Sequence, residues 1–402
     1  MKEERLVPEL RFKGFKKNWR NSSLNKECVV NPKSPELPIE FIYIDLESVS
    51  KGILVSENKV KREGAPSRAQ RLLKTNDIIF QTVRPYQKNN YHFKFNKSNY
   101  VSSTGYAQLR TENESAFIYQ MLHTELFVNK VLLRSTGSSY PAINSSDLGK
   151  IKVNLPNLEE QQKIATFLTS VDTRIEQLTQ KKELLEQYKK GVMQQLLSQQ
   201  LRFKDDDGKG FPEWEEKSIK VISSLIKDGT HSTHKDYPKS GYLLLSAKNL
   251  VNGKLSYDEN DREISESDYN QIYKNYKLKR DDILLSIVGT IGRVVRFDGT
   301  QNIAFQRSVA FFRFETENPS YVEQYMKAEG FQRELLKRKT IGAQPGIYLG
   351  DLSKITVKLP SLVEQQKIAD FLSSIDTKIT QVASQIEKSK EFKKGLLQQM
   401  FV

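Results

Sequence analysis

Two sets of polar loops in this chain carry the residue types that read nucleic-acid bases. Arg and Lys match guanine edges, Asn and Gln match adenine, and Ser, Thr and backbone N–H groups hold phosphates. In the first half, GAPSRAQR supplies Ser67, Arg68, Gln70 and Arg71. TVRPYQKNN supplies Arg84, Tyr86, Gln87, Lys88, Asn89 and Asn90, and STGSSY adds Ser138, Ser139 and Tyr140. In the second half, KDGTHSTHK supplies Lys227, Thr230, His231, Thr233 and Lys235, and SAKN supplies Lys248 and Asn249. The loop after DDILLSI adds Thr290 and Arg293, and GAQPG adds Gln344. One such loop is ordinary polar surface. Their parallel placement makes them candidates, because Arg84 and Arg293 follow two similar apolar strands and a turn-rich stretch precedes both Asp147 and Asp351.

Other chemistry is poorly supplied. There is no GxxxxGK[ST] phosphate loop and no Pro-Pro-aromatic step. GTIGR at Gly289–Arg293 lacks the GxGxxG dinucleotide pattern. His231 and His234 have a metal-pair spacing but no third histidine or cysteine nearby in sequence, so a polar loop is expected and no metal. The single cysteine, Cys28, permits no intrachain disulfide and suits a reducing cytoplasm. No apolar run approaches the ~20 residues of a membrane span, and the start MKEERLVPEL has no signal-peptide core, so neither is expected. The net charge of +14 favours a polyanionic partner. Residues 1–146 hold 23 Lys and Arg against 14 Asp and Glu, whereas residues 205–350 hold 22 of each. A second binding surface must therefore rest on a local basic patch.

The elements that would position these loops come twice. DLGKIKVNLPNLEEQQKIATFLTSVDTRIEQL from Asp147 repeats as DLSKITVKLPSLVEQQKIADFLSSIDTKITQV from Asp351, at an offset of 204 residues that holds to the chain end. Upstream echoes are fainter: FIYIDLESVSKG with YLLLSAKNLVNG, TNDIIFQTV with RDDILLSIV, and TGSSYPAINSSDL with TIGAQPGIYLGDL. Each tail reads as a long helix whose apolar residues alternate at three and four, the spacing of a coiled-coil seam. The first runs Leu168, Val171, Ile175, Leu178, Leu185, Tyr188, Val192, Leu196. The second runs Ile368, Leu372, Ile375, Ile379, Val382, Ile386, Phe392, Leu396, Met400. Lys182 and Ser389 interrupt the two seams. The heads read as short strands such as EFIYIDL, NDIIFQTV, DDILLSIV and SVAFFRF, with helices between. KDDDGKG at 204–210 reads as a linker. The expected fold is α+β: two mixed, strand-rich heads joined by two long helices in an antiparallel coiled coil, with a pseudo-two-fold internal repeat. Helices of about 40 residues would be about 60 Å long.

The tail strings LPNLEEQQKIATFLTSVD and LPSLVEQQKIADFLSSID, with KKGVMQQLL and KKGLLQQM at the helix ends, resemble the conserved regions of Type I restriction–modification specificity subunits. DGTH, RDDILLS, VGTIG and APSRAQRLLKTNDIIFQTVRP resemble their target-recognition domains, although Asp281–Asp282 stands where the family often has Gly-Asp. The resemblance implies target-recognition domains at 1–146 and 205–350 and helical spacers at 147–204 and 351–402. It implies that each head reads half of a split site on double-stranded DNA and that the helices bind two methyltransferase subunits. Those subunits carry S-adenosylmethionine for adenine methylation, and ATP- and Mg²⁺-dependent restriction subunits join them. This chain would bind no cofactor and catalyse nothing. The alternative is a non-enzymatic scaffold that binds protein partners through its coil.

Overall fold

The computed structural model describes residues 6–340 and 345–402. The chain forms two compact units. The first comprises residues up to Gln180 with Ala383–Val402, and the second comprises Lys181–Val382. Each unit thus holds one head and a part of both long helices, Leu158–Leu197 and Leu362–Gln399.

Local sequence explains where the helices start. Asn157 Oδ1 accepts the Glu160 N–H at 2.9 Å, and Ser361 accepts the Glu364 N–H at 3.4 Å. These side chains satisfy amide donors that a helix start leaves unpaired. Gln161 and Gln365 donate back to the carbonyls of Pro156 and Pro360 at 3.1 and 3.0 Å. The first helix stops where Gln199 adopts a positive φ and Leu201 N–H returns to the Gln195 carbonyl. In the first unit the Gln399 carbonyl accepts from Leu10 N–H instead.

In the first unit, strands 29–30, 106–110, 78–81 and 91–92 form an antiparallel sheet. A second sheet orders strands 58–61, 40–44, 100–103 and 69–72, with 40–44 and 100–103 parallel. Strand Arg20–Ser23 pairs with Lys152–Leu155 and ties the head to the foot of the long helix. The second unit repeats this frame. Its sheet orders 225–228, 309–313, 283–286 and 294–296; 243–245 runs parallel to 303–305; and Glu215–Ser218 pairs with Thr356–Leu359. The heads differ at the edges, where the first adds strands 58–61 and 69–72 and the second adds helix Glu266–Tyr273.

The expected strands are present at 40–44, 78–81, 283–286 and 309–313. The expected helices between the strands include a broken pair in each head, 115–121 with 125–132 and 319–327 with 329–337. In the first case Thr124 caps a new start by accepting the Phe127 N–H.

Each core joins head to helices. In the first unit Trp19, Phe80 and Phe117 pack with Ile164, Leu168, Leu396 and Phe401. In the second, Phe312, Tyr321 and Phe331 pack with Val192, Leu196, Ile368 and Leu372. Burying one such side chain contributes about 1.5–3 kcal/mol. The helix segments run antiparallel inside each unit. Lys393 Nζ meets Asp172 at 2.6 Å in the first, and Lys189 Nζ meets Asp376 at 2.7 Å in the second. Gln120 and Gln324, one from each head, donate to the same two carboxylates at 2.7 and 2.9 Å.

These contacts correct the expected seams. Lys189 and Lys393 are half-buried and face inward, whereas Tyr188 and Phe392 are exposed. Lys182 and Ser389 are half-buried as well. The inward stripe therefore passes through 182, 185, 189, 192 and 196 in one helix and 386, 389, 393, 396 and 400 in the other. It keeps the alternation of three and four and does not break at Lys182 or Ser389. A lysine is tolerated there because its stem packs on apolar neighbours while its ammonium reaches a carboxylate.

Candidate nucleic-acid interface

In the first head, three of the sequence-derived stretches meet at one end of the sheets. Strand 78–81 opens into Thr82–Arg84, and Thr82 N–H donates to the Gly105 carbonyl at 3.1 Å. The adjoining Thr104 N–H donates to the Arg68 carbonyl at 2.9 Å. On the other side, Val83 bridges to Ala142, Arg84 N–H donates to Pro141, and Thr136 exchanges both hydrogen bonds with Ala142. Segments 67–68, 82–87 and 136–142 thus gather around the Thr104–Gly105 turn.

Arg84 sits in the left-handed region (φ 54°), and its guanidinium lies 5.0 Å from the centre of the exposed Tyr140 ring. The ring face attracts the cation, and the Arg84 side chain makes no hydrogen bond among the described residues. Ser67, Arg68, Tyr86, Ser138 and Ser139 are exposed beside it. Gln70 donates to the Ser67 carbonyl.

Other candidates of this head serve the loop itself. Asn90 is buried, and its Oδ1 accepts the Gln81 N–H at 2.9 Å. Asn89 Oδ1 accepts the Lys51 N–H, and Gln87 Oε1 accepts from Gln81. Lys88 pairs with Glu125 at 2.7 Å. Arg71 is half-buried, its Nε has no partner, and burial pushes its pKa down.

The second head assembles the same joints. Val288 bridges to Gly346 as Val83 does to Ala142, and Thr340 N–H donates to Gly346 as Thr136 does to Ala142. Thr230 bridges to Gln306, and Arg307 N–H donates to the Thr230 carbonyl. A cleft of about 430 Å³ opens between them, lined by Asp228, His231, Val288, Arg307 and Tyr348. Lys227, Thr233, Lys235 and Thr290 are exposed nearby in sequence. Gln344 lies outside the described residues.

Here too several candidates are committed. Arg293 turns Nη1 onto the carbonyls of Ala247, Lys248 and Leu250 at 3.2–3.3 Å. It pins that loop, so it does not match Arg84 in placement. Asn249 is buried and bonds Ser246, Ser256 and Asp261, while Lys248 pairs with Asp261. His231 meets Asp228 at 2.8 Å, and His234 meets Thr230 at 3.0 Å and Asp268 at 3.2 Å. The two imidazoles thus turn to different partners. Among the described residues no group of three or more His, Cys, Asp or Glu could hold a metal.

The family model for the Type I restriction modification DNA specificity domain matches residues 7–187 and again 212–389. The chain belongs to this family. Among curated specificity subunits, that of MjaVIII from Methanocaldococcus jannaschii is 30% identical over 274 residues, covering 64% of each chain. That of EcoBI from Escherichia coli is 27% identical over 248 residues, covering 56% of this chain and 52% of its own length. The alignments thus span less than two thirds of those relatives. The S subunit of a Type I restriction–modification system from M. genitalium superposes with a TM-score of 0.60 at 15% identity, covering 98% of this chain and 99% of that one. A structure from a study of Type I system assembly gives 0.57 at 20%, covering 94% and 96%. At these identities the likeness is one of fold.

Within the specificity-domain fold, sequence reasoning missed Arg307. It is exposed at the turn joining strands 303–305 and 309–313, the place that Thr104 takes in the first head. The signal was available in the paired strings YVSSTGYAQLR and IAFQRSVAFFR, which align Arg307 with the first head's turn.

Proposed function

We propose that this chain is the DNA-reading subunit of a Type I restriction–modification complex, recognising a bipartite, asymmetric site on double-stranded DNA. The observation that carries this reading is the joint made twice: Val83 with Ala142, and Val288 with Gly346. Each presents a polar loop pair at one end of a duplicated sheet, with a guanidinium beside it that makes no side-chain hydrogen bond or ion pair among the described residues, Arg84 in one head and Arg307 in the other. Arg is the commonest specific partner of guanine. Because the side chains around the two joints differ, the two half-sites differ in sequence.

The recognition domains span 1–146 and 205–350, and the spacers span 147–204 and 351–402. The matched pairs Asp172–Lys393 and Asp376–Lys189 support an antiparallel coiled coil with a pseudo-two-fold. Reading the major groove from one face favours half-sites about one helical turn (~10 bp) apart. The chain itself performs no catalysis and binds no cofactor. Two methyltransferase subunits bring S-adenosylmethionine, and restriction subunits bring ATP- and Mg²⁺-dependent cleavage. Among the described residues no helix is long and apolar enough to cross a membrane; the complex would work in the cytoplasm, where the DNA is. Mapping methylated adenines in cells that express this chain with its methyltransferase tests the reading. Two unlike half-sites at one fixed gap support it, and methylation without such a motif removes it.

A further inference from the structure

The arms that lead to Trp19 and Trp214 are anchored alike. Arg11 grips buried Glu160 at 2.7 and 2.8 Å, and Arg202 grips buried Glu364 at 3.2 and 2.9 Å. Trp19 and Trp214 donate their indole N–H groups to the same carboxylates. Phe12 meets Phe167 edge-on at 5.7 Å, and Phe203 meets Phe371 at 5.8 Å. Beyond the anchor, the arms differ in charge: one reads KGFKKN, the other KDDDGKGFPE.

This difference changes the fate of one repeated lysine. In the second unit Lys367 donates to the Asp206 carboxylate at 2.7 Å and the Lys204 carbonyl at 3.0 Å. Its counterpart Lys163 lies over the Phe12 ring and pairs with no carboxylate among the described residues. Lys13, Lys16 and Lys17 are exposed around it and likewise unpaired among those residues. Two adjoining hollows, of about 290 and 1030 Å³, open between this arm and the long helix, with Phe12, Phe15 and Phe167 among their walls and Glu159 the one unpaired acid. Between its Arg anchor and its Trp the second arm carries the Asp205–Asp207 run, where the matching stretch of the first arm, Lys13–Asn18, has no acid.

We propose that the groove between residues 11–17 and the start of the first long helix binds an acidic, aromatic-bearing segment of a protein partner, seated on Lys13 and Lys163 as Asp206 is on Lys367. DNA is the less suitable occupant. The loops proposed to read DNA leave strands 78–81 and 106–110 at the Gln81–Tyr106 end. The opposite end abuts the helix start, where Gln161 meets Asn113 and Glu114. The groove belongs to that opposite end, an inference that rests on the reading of the loops. A partner with such a segment would then tell the first unit from the second.

The test uses the full chain and a fluorescein-labelled, end-capped peptide of residues 205–211, which carries the Asp205–Asp207 run and Phe211 against one lysine. Anisotropy should show binding at low salt, and a photoreactive version should cross-link within 12–17 or 163–170. Lys13→Glu with Lys163→Glu should weaken binding about tenfold or more, as should Asp205, Asp206 and Asp207 changed to Asn in the peptide. Both lysines are exposed, and an unchanged melting curve confirms folding. No binding, cross-links elsewhere, or displacement by a short random duplex whose affinity falls in the same variant would each overturn the proposal. DNA binding by the assembled complex should be unaltered by the two lysine changes. Failure of the DNA reading would instead appear in Arg84→Ala, with the peptide result intact.

Discussion

The tips and the roots of the two heads have fared differently since duplication. At the roots the same contacts recur: Arg and Trp donate to a buried glutamate, Gln and Lys to an aspartate, and Gln to a proline carbonyl. At the tips the joints recur, with Val83 and Val288 and with Thr136 and Thr340 in matching places, but the exposed side chains around them differ. Arg84 lies over the Tyr140 ring in one, whereas in the other Arg293 is drawn into loop anchoring and Arg307 is exposed. A frame whose buried charges depend on one another tolerates little change, because a lone buried charge is costly. Exposed side chains on a fixed backbone joint can change without loss of stability. That is how one module can keep its place while its target drifts.

The largest effect should come from breaking a root. Glu160→Ala strands the mostly buried Arg11 and removes the acceptor of Trp19, and should cost the first unit about 3–5 kcal/mol. Glu364→Ala should cost the second unit a similar amount. The chain's two tryptophans, Trp19 and Trp214, lie one in each unit, so denaturation followed in Trp214→Phe and Trp19→Phe backgrounds separates the two. Equal losses in both units from either change would mean that the roots are not independent.

At the tips the arginines should part company. Arg84→Ala should weaken specific DNA binding by about 1–3 kcal/mol and barely alter stability. Arg293→Ala should lower the stability of the second unit by about 1–3 kcal/mol, since its hydrogen bonds to three loop carbonyls vanish. Calorimetry of each variant alone, beside DNA titration of the complex, checks this. Equal stability loss in both would erase the distinction.

How much of this was legible in the sequence follows the same division. The duplication, the strands and both long helices stand out because periodicity and self-similarity are carried by the chain itself. Apolarity alone puts Tyr188 and Phe392 in the seam; Lys189 and Lys393 take the inward places because Asp376 and Asp172 face them from the other helix. Asn90 and Asn249 have the composition of base readers, yet both are buried in hydrogen bonds to nearby loop backbone. Distance from similar strands pairs Arg84 with Arg293 in the sequence. The equivalence that holds in space is Val83 with Val288, set by pairing to Ala142 and Gly346. Burial and partners at long separation decide such cases, and neither is written locally.

A smaller contrast lies in pH. His92 and His123 flank Tyr119 in the first unit, and burial pushes both imidazoles down to about 4. The folded unit therefore prefers them neutral, while the unfolded chain protonates near 6.5. Their contribution is complete above about pH 6.5 and is lost as pH falls towards 4. Urea midpoints of the first unit should drop between pH 7 and 5, and His92→Phe should flatten that slope. An unchanged slope would place the acid sensitivity elsewhere.

Two readers on one bipartite site can be tested by cross-linking each tip to DNA. A photoreactive amino acid is placed at position 140 in one sample and at position 307 in another, each in the full complex on its methylated target. The expected result is that position 140 cross-links to bases or phosphates of one half-site only and position 307 to those of the other, with the gap untouched. Cross-links from both positions to the same half-site, or from neither, would contradict it.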